Sequence, residues 1–271
     1  MPLIERVVSK VNRIIRERSR RGVPLQEQMT YESSGGKWYE PVIAGPSSFV
    51  NDCSGAQSVR GVLPVIRKLT PDDYVRFNID LYTTGLDRFG DMWRYADINT
   101  VLFGISKRIE VGFYLEIGVR RGRSMAIVAS RHPHARIVGF DKWIPNYVGI
   151  ENPGPEFVQK ELECVGYKEK VEFITGDSKK TVPAYFRQHP DAYFDVITVD
   201  GDHSAHGARI DLRHVIPRLK IGGFLVFDDI SNQWHPRLES VWNRMVSRRA
   251  RFRTFAFDEV GYGTAFGIRQ Y

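Results

Sequence analysis

Three aspartates at the ends of two apolar segments are the side chains of this sequence best suited to chemistry. Asp200 ends the segment that begins at Phe194, and the pair Asp228 and Asp229 ends the segment that begins at Gly222. Short apolar segments bounded by turn residues are typical of strands buried on both faces. In open α/β sheets, ligands bind outside the carboxyl ends of the strands. If the two strands are neighbours, the three carboxylates meet at one edge of the sheet.

A group of carboxylate oxygens indicates a site for a hard divalent cation, because Mg²⁺ and Ca²⁺ prefer oxygen ligands. Asp200, Asp228 and Asp229 are therefore the predicted metal ligands, and Mg²⁺ is the predicted ion. His203 follows Asp200 by three residues, so it would lie beside the cation and act as a general base. Asp200 and His203 are thus the predicted catalytic residues. The alternative is that the aspartates only begin solvated loops and that His203 has a structural role.

Alternating strand and helix patterns from residue 111 onward must position these side chains. Strands are predicted at 112–117, 136–141, 170–175, 194–200, 222–228, 252–257 and 263–269, and helices at about 122–132, 154–165, 178–189, 206–219 and 236–248. This alternation favours βαβ units and predicts an α/β fold with a doubly wound, mainly parallel seven-stranded sheet. No helical pattern separates the last two strands, which predicts a terminal hairpin with one antiparallel strand.

Three further strand ends predict a nucleoside site. The turn from Gly118 to Gly122 joins the first strand to a helix, where glycines let the backbone approach a ligand and the helix N-terminus favours anionic groups. The turn matches neither the dinucleotide pattern Gly-x-Gly-x-x-Gly nor a P-loop. Asp141 ends the next strand, at a place where an acidic residue can bind both hydroxyls of a ribose. Asp177 and Ser178 follow the third strand, where an adenine edge can be read.

Together these segments resemble the class I S-adenosylmethionine-dependent methyltransferases. The matching residues, within about 110–271, are Glu116-Ile117-Gly118, Gly122, Ser124, Asp141, Gly176-Asp177-Ser178, Asp195 to Asp200 and Gly222-Gly223. The resemblance implies that S-adenosylmethionine is the cofactor, with its methionine end at the turn from Gly118 to Ser124 and its ribose at Asp141. Asp177 and Ser178 would lie near the adenine, and Trp143 would stack on it. Glu116 and Asp200 complete the implied cofactor site.

Within this superfamily, Asp200-x-x-His203 followed by Asp228-Asp229 looks similar to the metal-dependent sugar O-methyltransferases of the macrocin and mycinamicin type. Catechol-type enzymes usually have Lys at the place of His203 and Asn at the last metal position, and this sequence departs from both. The resemblance implies Mg²⁺-dependent methylation of a sugar hydroxyl, on a glycoside or polysaccharide such as one of mannose, rhamnose or an antibiotic deoxysugar. The alternatives are a phenolic or other small natural product as the acceptor, a non-haem iron hydroxylase on a related fold, and a non-catalytic binding protein.

Residues 1–105 have a different pattern and are predicted to form a mostly helical accessory, lid and oligomerisation segment beside a methyltransferase domain at 106–271. Residues 3–18 predict a basic amphipathic helix that docks on the body, on a partner subunit or on a membrane surface. Residues 22–60 are rich in Gly, Ser and Pro, which predicts irregular structure, short edge strands or a lid. Thr70 is the predicted cap of a following helix, whose aromatic residues pack in the core or line an acceptor pocket.

Composition narrows the function classes. The chain has 271 residues and a moderate net charge of +7, part of which is concentrated in short segments. Nucleic acid is therefore not expected as a partner. Cys53 and Cys164 match no metal spacing and are expected to be free thiols in a reducing compartment. Neither a membrane-spanning segment nor a signal peptide is evident. We therefore expect a cytoplasmic homo-oligomer that acts on a small-molecule or oligosaccharide acceptor.

Overall fold

The computed structural model describes residues 43–259 and 261–271, together with the backbone of two short antiparallel strands, β1 (Glu32–Ser33) and β2 (Gly36–Lys37). The helix predicted at residues 3–18 lies outside the described residues. Four helices precede the main sheet in the described part of the chain: α1 (Val50–Ser54), α2 (Ala56–Ile66), α3 (Asp73–Phe89) and α4 (Ile98–Arg108). Among these described residues, no helix has the length and apolarity needed to cross a membrane.

Helices α1 and α2 correct the prediction of irregular structure for residues 22–60, which is wrong from residue 50 onward. Val59, Val62 and Ile66 recur at helical spacing and are fully buried, so this segment has an apolar face to pack. Gly61 is required by packing rather than by a turn, because a Cβ there would lie within 2.1 Å of the Phe103 ring. The small residues of the segment therefore permit close contact between α2 and α4.

The main sheet has seven strands: β3 (Phe113–Ile117), β4 (Arg136–Asp141), β5 (Glu172–Thr175), β6 (Phe194–Val199), β7 (Leu219–Asp228), β8 (Phe252–Phe257) and β9 (Thr264–Arg269). Their spatial order is β5-β4-β3-β6-β7-β9-β8. Strand β9 runs antiparallel to both of its neighbours, and the other pairings are parallel. The predicted doubly wound, mainly parallel sheet and its terminal hairpin are thus confirmed. Strands β4 and β5 follow on one side of β3, and β6 and β7 follow on its other side, so the strand order reverses between β3 and β6.

Helices on both faces cover the sheet, and successive residues of one strand face opposite cores, as the period of two requires. Tyr114 belongs to the core that also contains residues of the N-terminal helices α1 to α4, of α5 (Arg123–Arg131) and of α6 (Pro155–Cys164). Leu115 belongs to the core on the other face, with residues of α7 (Ser178–Gln188), α8 (Ala205–Val215) and α9 (Leu238–Trp242). The N-terminal helices therefore share a core with the sheet and reach the edge where its parallel strands end.

The start of α3 also differs from the prediction, because Asp72 rather than Thr70 caps this helix. An Asp72 side-chain oxygen accepts a hydrogen bond from the Val75 N–H at 2.6 Å. Thr70 donates instead to Glu161 on α6, through both its backbone N–H and its hydroxyl. Asp and Thr both serve as N-caps, so the residue types alone do not decide between them. The cap matters for the site, because the other Asp72 oxygen lies 2.8 Å from Nε of Arg121 in the turn after β3.

Candidate active site

The predicted strand ends meet in one cavity of about 850 Å³. Its walls come from the ends of β3, β4, β6 and β7, the loops that follow them, and the first turns of α3 and α4. The predicted site residues that line it are Gly118, Ser124, Asp141, Ser178, Asp200, His203, Asp228 and Asp229. Four other predicted residues are not on its wall: Glu116, Gly122, Trp143 and Asp177.

His203 lies between two of the three aspartates. Its Nε2 is 3.1 Å from Oδ1 of Asp200, and its Nδ1 is 3.4 Å from Oδ2 of Asp229. One possible ligand atom from each of these three residues lies within 4.8 Å of the others, which is compact enough to surround a cation. Neighbouring strands explain the arrangement, because Val199 of β6 pairs with Phe227 of β7 just before these side chains. Asp229 has a left-handed backbone, with φ of 62°, and such strain is often found at functional sites.

Asp228 lines the same cavity but is not part of that compact group. Burial, followed by the charges of Asp200 and Asp229, raises the pKa of Asp228 well above its usual range. Burial and Asp200 also raise the pKa of Asp229, to about 6. Crowded carboxylates either keep a proton or bind a cation. The hard oxygen donors of Asp200 and Asp229 therefore fit a divalent ion such as Mg²⁺, and Asp228 lines the same cavity.

The loop after β7 supplies residues that the sequence analysis missed. Asn232 donates from Nδ2 to Oδ2 of Asp229 at 3.2 Å and accepts from the Trp234 N–H at 2.9 Å. The His235 ring lies edge-on to His203, with 4.8 Å between the ring centroids. This loop therefore orients Asp229 and encloses one side of His203. The Asp-x-x-Asn spacing was the available signal, because short polar side chains often bond across a turn.

Asp141 at the end of β4 is held by two backbone groups. Its Oδ2 accepts from the Arg120 N–H at 2.7 Å, and its Oδ1 accepts from the Trp143 N–H at 2.6 Å. A carboxylate has about four acceptor sites, so each oxygen can still bind a ribose hydroxyl. The site therefore suits the ribose contact that the sequence analysis assigned to this residue.

Glu116, Gly118 and Gly122 determine the shape of the turn after β3. Glu116 is fully buried and accepts hydrogen bonds from the hydroxyls of Ser124 and Tyr114, and burial raises its pKa to about 8. Gly118 has a φ of +91°, and a Cβ on it would lie 1.9 Å from the Asp200 carbonyl oxygen. Gly122 has a φ of +74° and packs against α6. These residues fix the shape of the turn, which brings Ser124 to the cavity.

Trp143 and Asp177 have other partners in the structure. The Trp143 indole N–H donates to Thr175 at 3.1 Å, and its ring packs edge-on against Phe173. Tyr147, rather than Trp143, is the aromatic residue of this loop on the cavity wall. Asp177 accepts a hydrogen bond from the Lys179 N–H at 3.1 Å and caps α7. The assignment of Trp143 and Asp177 to the adenine therefore stays a prediction.

Comparisons with known proteins agree with this fold. Residues 115–230 match the family model of a methyltransferase domain. The apo structure of CalS11, a TDP-rhamnose 3'-O-methyltransferase of calicheamicin biosynthesis, has 18% sequence identity and a TM-score of 0.50, and the match covers 79% of this chain and 93% of that one. The O-methyltransferase TomG from Streptomyces achromogenes, involved in tomaymycin synthesis and solved with S-adenosylmethionine, has 18% identity and a TM-score of 0.52, with coverage of 75% and 92%. None of the curated proteins matches the chain in sequence.

Proposed function

We propose that this chain is a class I S-adenosylmethionine-dependent methyltransferase, since its residues 115–230 match the model of a methyltransferase domain, and that it methylates a hydroxyl group of a sugar with the help of Mg²⁺. The proposal rests on one observation above all. His203 lies between Asp200 and Asp229, in the same cavity that Gly118 and Asp141 line. The proposed general base, cation site and nucleoside site therefore line one cavity, where they can all reach a cofactor and an acceptor bound together.

Each group has a separate task in this proposal. When bound, S-adenosylmethionine supplies the sulfonium methyl group, and Mg²⁺ supplies the charge that lowers the pKa of the acceptor hydroxyl. Asp200, Asp228 and Asp229 hold the cation. His203 accepts the hydroxyl proton, and the neighbouring carboxylates stabilise the resulting imidazolium. The shared cavity aligns acceptor and cofactor, and such alignment supplies a large part of the rate enhancement in displacement reactions.

The rim of the cavity supports a sugar as the acceptor. Tyr147, Trp234 and Tyr262 line the cavity and yet remain 36%, 74% and 54% exposed. Aromatic rings in such positions offer flat apolar faces, against which the C–H faces of a pyranose ring can pack. CalS11, which shares the fold, acts on TDP-rhamnose, and this agrees with a nucleotide-linked or glycosidic deoxysugar here.

Methyl transfer from labelled S-adenosylmethionine tests the proposal. The acceptors would be TDP-rhamnose, aryl rhamnosides, aryl mannosides and catechol, each with Mg²⁺ and each with EDTA. We expect label in a sugar, loss of transfer with EDTA and recovery with added Mg²⁺. Preferential methylation of catechol would contradict the sugar acceptor, and full turnover in EDTA would contradict the metal role.

A further inference from the structure

Two side chains on the helical wall of the cavity have the polarity needed to bind an amino acid. We infer that Asn99 and Arg123 bind the α-ammonium and the α-carboxylate of the cofactor's methionine moiety. The inference rests on the proposed function in that S-adenosylmethionine is taken as the cofactor. It assigns part of the cofactor site to α4, which lies outside the matched domain at 115–230.

Asn99 presents an unpaired hydrogen-bond acceptor to the cavity. The side chain is 3% exposed, and its Nδ2 donates to the Tyr82 hydroxyl at 3.2 Å. Tyr82 has one proton to donate, and it donates it to Asp97. Tyr82 can therefore only accept from Asn99, which fixes the orientation of the amide. Oδ1 of Asn99 then has no hydrogen-bond partner among the described residues, although buried acceptors are nearly always paired.

Arg123 presents the complementary donor and a positive charge that Asp72 compensates only in part. Its guanidinium lies over the Tyr74 ring at 4.1 Å, and only 13% of its side chain is exposed. Oδ2 of Asp72 is 3.6 Å from Nη1 of Arg123 but only 2.8 Å from Nε of Arg121. Two guanidinium groups thus share one carboxylate. Nη1 of Arg123 has no hydrogen-bond partner among the described residues, so it is suited to a ligand carboxylate.

The order of the strands places the methionine end on this wall. Asp141 is on β4 and the His203 cluster follows β6, and β3 lies between these two strands. A cofactor that spans from the ribose contact to the reacting methyl group must cross the end of β3 at Gly118. The helix that follows is α5, which carries Arg123 and packs against α4. Asn99 and Arg123 both line the cavity, so an acceptor and a donor face the same part of the ligand.

Calorimetry with two ligands separates this assignment from general damage to the site. S-adenosylhomocysteine carries the amino acid group, and 5'-methylthioadenosine lacks it. We expect Asn99→Ala and Arg123→Met to weaken S-adenosylhomocysteine binding roughly tenfold to a hundredfold, as for the loss of a hydrogen bond to a charged group. Binding of 5'-methylthioadenosine should change less than about twofold, because it makes neither contact.

Two variants control for loss of packing. Asn78→Ala removes a buried amide that is not on the cavity wall, and Arg131→Met removes an arginine from the far end of α5. Both should keep wild-type affinity for S-adenosylhomocysteine. Unchanged binding in Asn99→Ala and Arg123→Met, or equal weakening of both ligands, would overturn the assignment. Wild-type protein that binds neither ligand would instead contradict the proposed function itself, and the assignment with it.

Discussion

The pair Asp200 and His203 shows which site residues a sequence can reveal. The two side chains lie three residues apart, and their hydrogen bond depends only on the turn after β6. Such local geometry follows from residue types and spacing. Asn99 and Arg123 could not be found in this way, because the packing of α4 against α5 brings them to one cavity. The position of Trp143 was equally hidden, since its left-handed backbone, with φ of 52°, has no signal in the residue type.

His203→Ala is expected to lower the turnover number by roughly 10²–10⁴, the usual contribution of a general base. Cation affinity should largely survive, because the three aspartates remain. His206→Ala is the matched control, since this exposed histidine lies at the start of α8 and is not on the cavity wall. Single-turnover rates and Mn²⁺ or Mg²⁺ titrations would check both variants. A His203→Ala enzyme as fast as His206→Ala would remove His203 from the mechanism.

The pKa of His203 should depend on the cation. Burial lowers this pKa, but the hydrogen bond to Asp200 and the charges of Asp200, Asp229 and Asp202 raise it more, so that it lies above its usual value in the metal-free protein. A bound divalent cation disfavours the imidazolium and should lower it. Histidine proton shifts followed by NMR across pH 5 to 9, without and with Mg²⁺, would measure the change. A pKa of His203 that stays the same in saturating Mg²⁺ would place the cation elsewhere.

At the level of elements, strand patterns were easier to interpret than the N-terminal helices. Buried apolar strands with turn residues at both ends stand out in sequence, and all seven lie where they were predicted. Helix α1 and the part of α2 before residue 61 were missed, because glycine and serine lower intrinsic helix propensity. Contacts with other elements stabilise them instead, as Gly61 shows by its approach to the Phe103 ring. Tertiary packing therefore decided the structure where local preference was weak.

Asp72 caps α3 and also forms an ion pair with Arg121 in the turn after β3. Two substitutions separate these roles. Asp72→Asn keeps a side-chain acceptor for the Val75 N–H, whereas Asp72→Ala removes it. Since Asn is as good an N-cap as Asp, Asp72→Ala should lower the free energy of unfolding by about 0.5–2 kcal/mol more than Asp72→Asn. Both variants lose the ion pair with Arg121. Urea denaturation of the two proteins would measure the difference, and equal stability would mean that Asp72 does not act as the cap of α3.

For the whole molecule, the topology could be predicted because parallel sheets follow strict connection rules. The alternation of strands and helices left few possible strand orders. In the order found, successive strands are added on one side of β3 up to β5 and on its other side from β6 onward. Where the N-terminal helices dock could not be predicted in this way. Their place depends on side-chain packing in a shared core, to which Val59, Val101 and Tyr114 all belong. Part of the cavity wall was therefore beyond the sequence, and Asn99 lies in that part.

Stability of the whole chain should fall between about pH 5 and pH 8 because of its buried carboxyl groups. Burial raises the pKa of Glu116 from 4.5 to about 8 and that of Asp211 from 3.8 to about 7. Between the unfolded and folded pKa values, the folded protein holds a proton that the unfolded chain has lost. Unfolding then releases protons, so the free energy of unfolding decreases as the pH rises, by up to about 1.4 kcal/mol per pH unit for each group. Below the unfolded pKa of each group its contribution to stability is fully present, and above the folded pKa it is lost.

Glu116→Gln isolates one of these groups, because glutamine keeps the shape and cannot ionise. Relative to wild type, this variant should gain stability steadily as the pH rises from about 5 to about 8, with little further gain above that range. Urea denaturation in EDTA at intervals of one pH unit would measure the gain and keep cation binding out of the comparison. Glu156→Gln is the matched control, since Glu156 is exposed on the first turn of α6. If Glu116→Gln follows the same pH dependence as Glu156→Gln, the buried carboxyl is not protonated in the folded state, and the hydroxyls of Tyr114 and Ser124 alone would have to stabilise its charge.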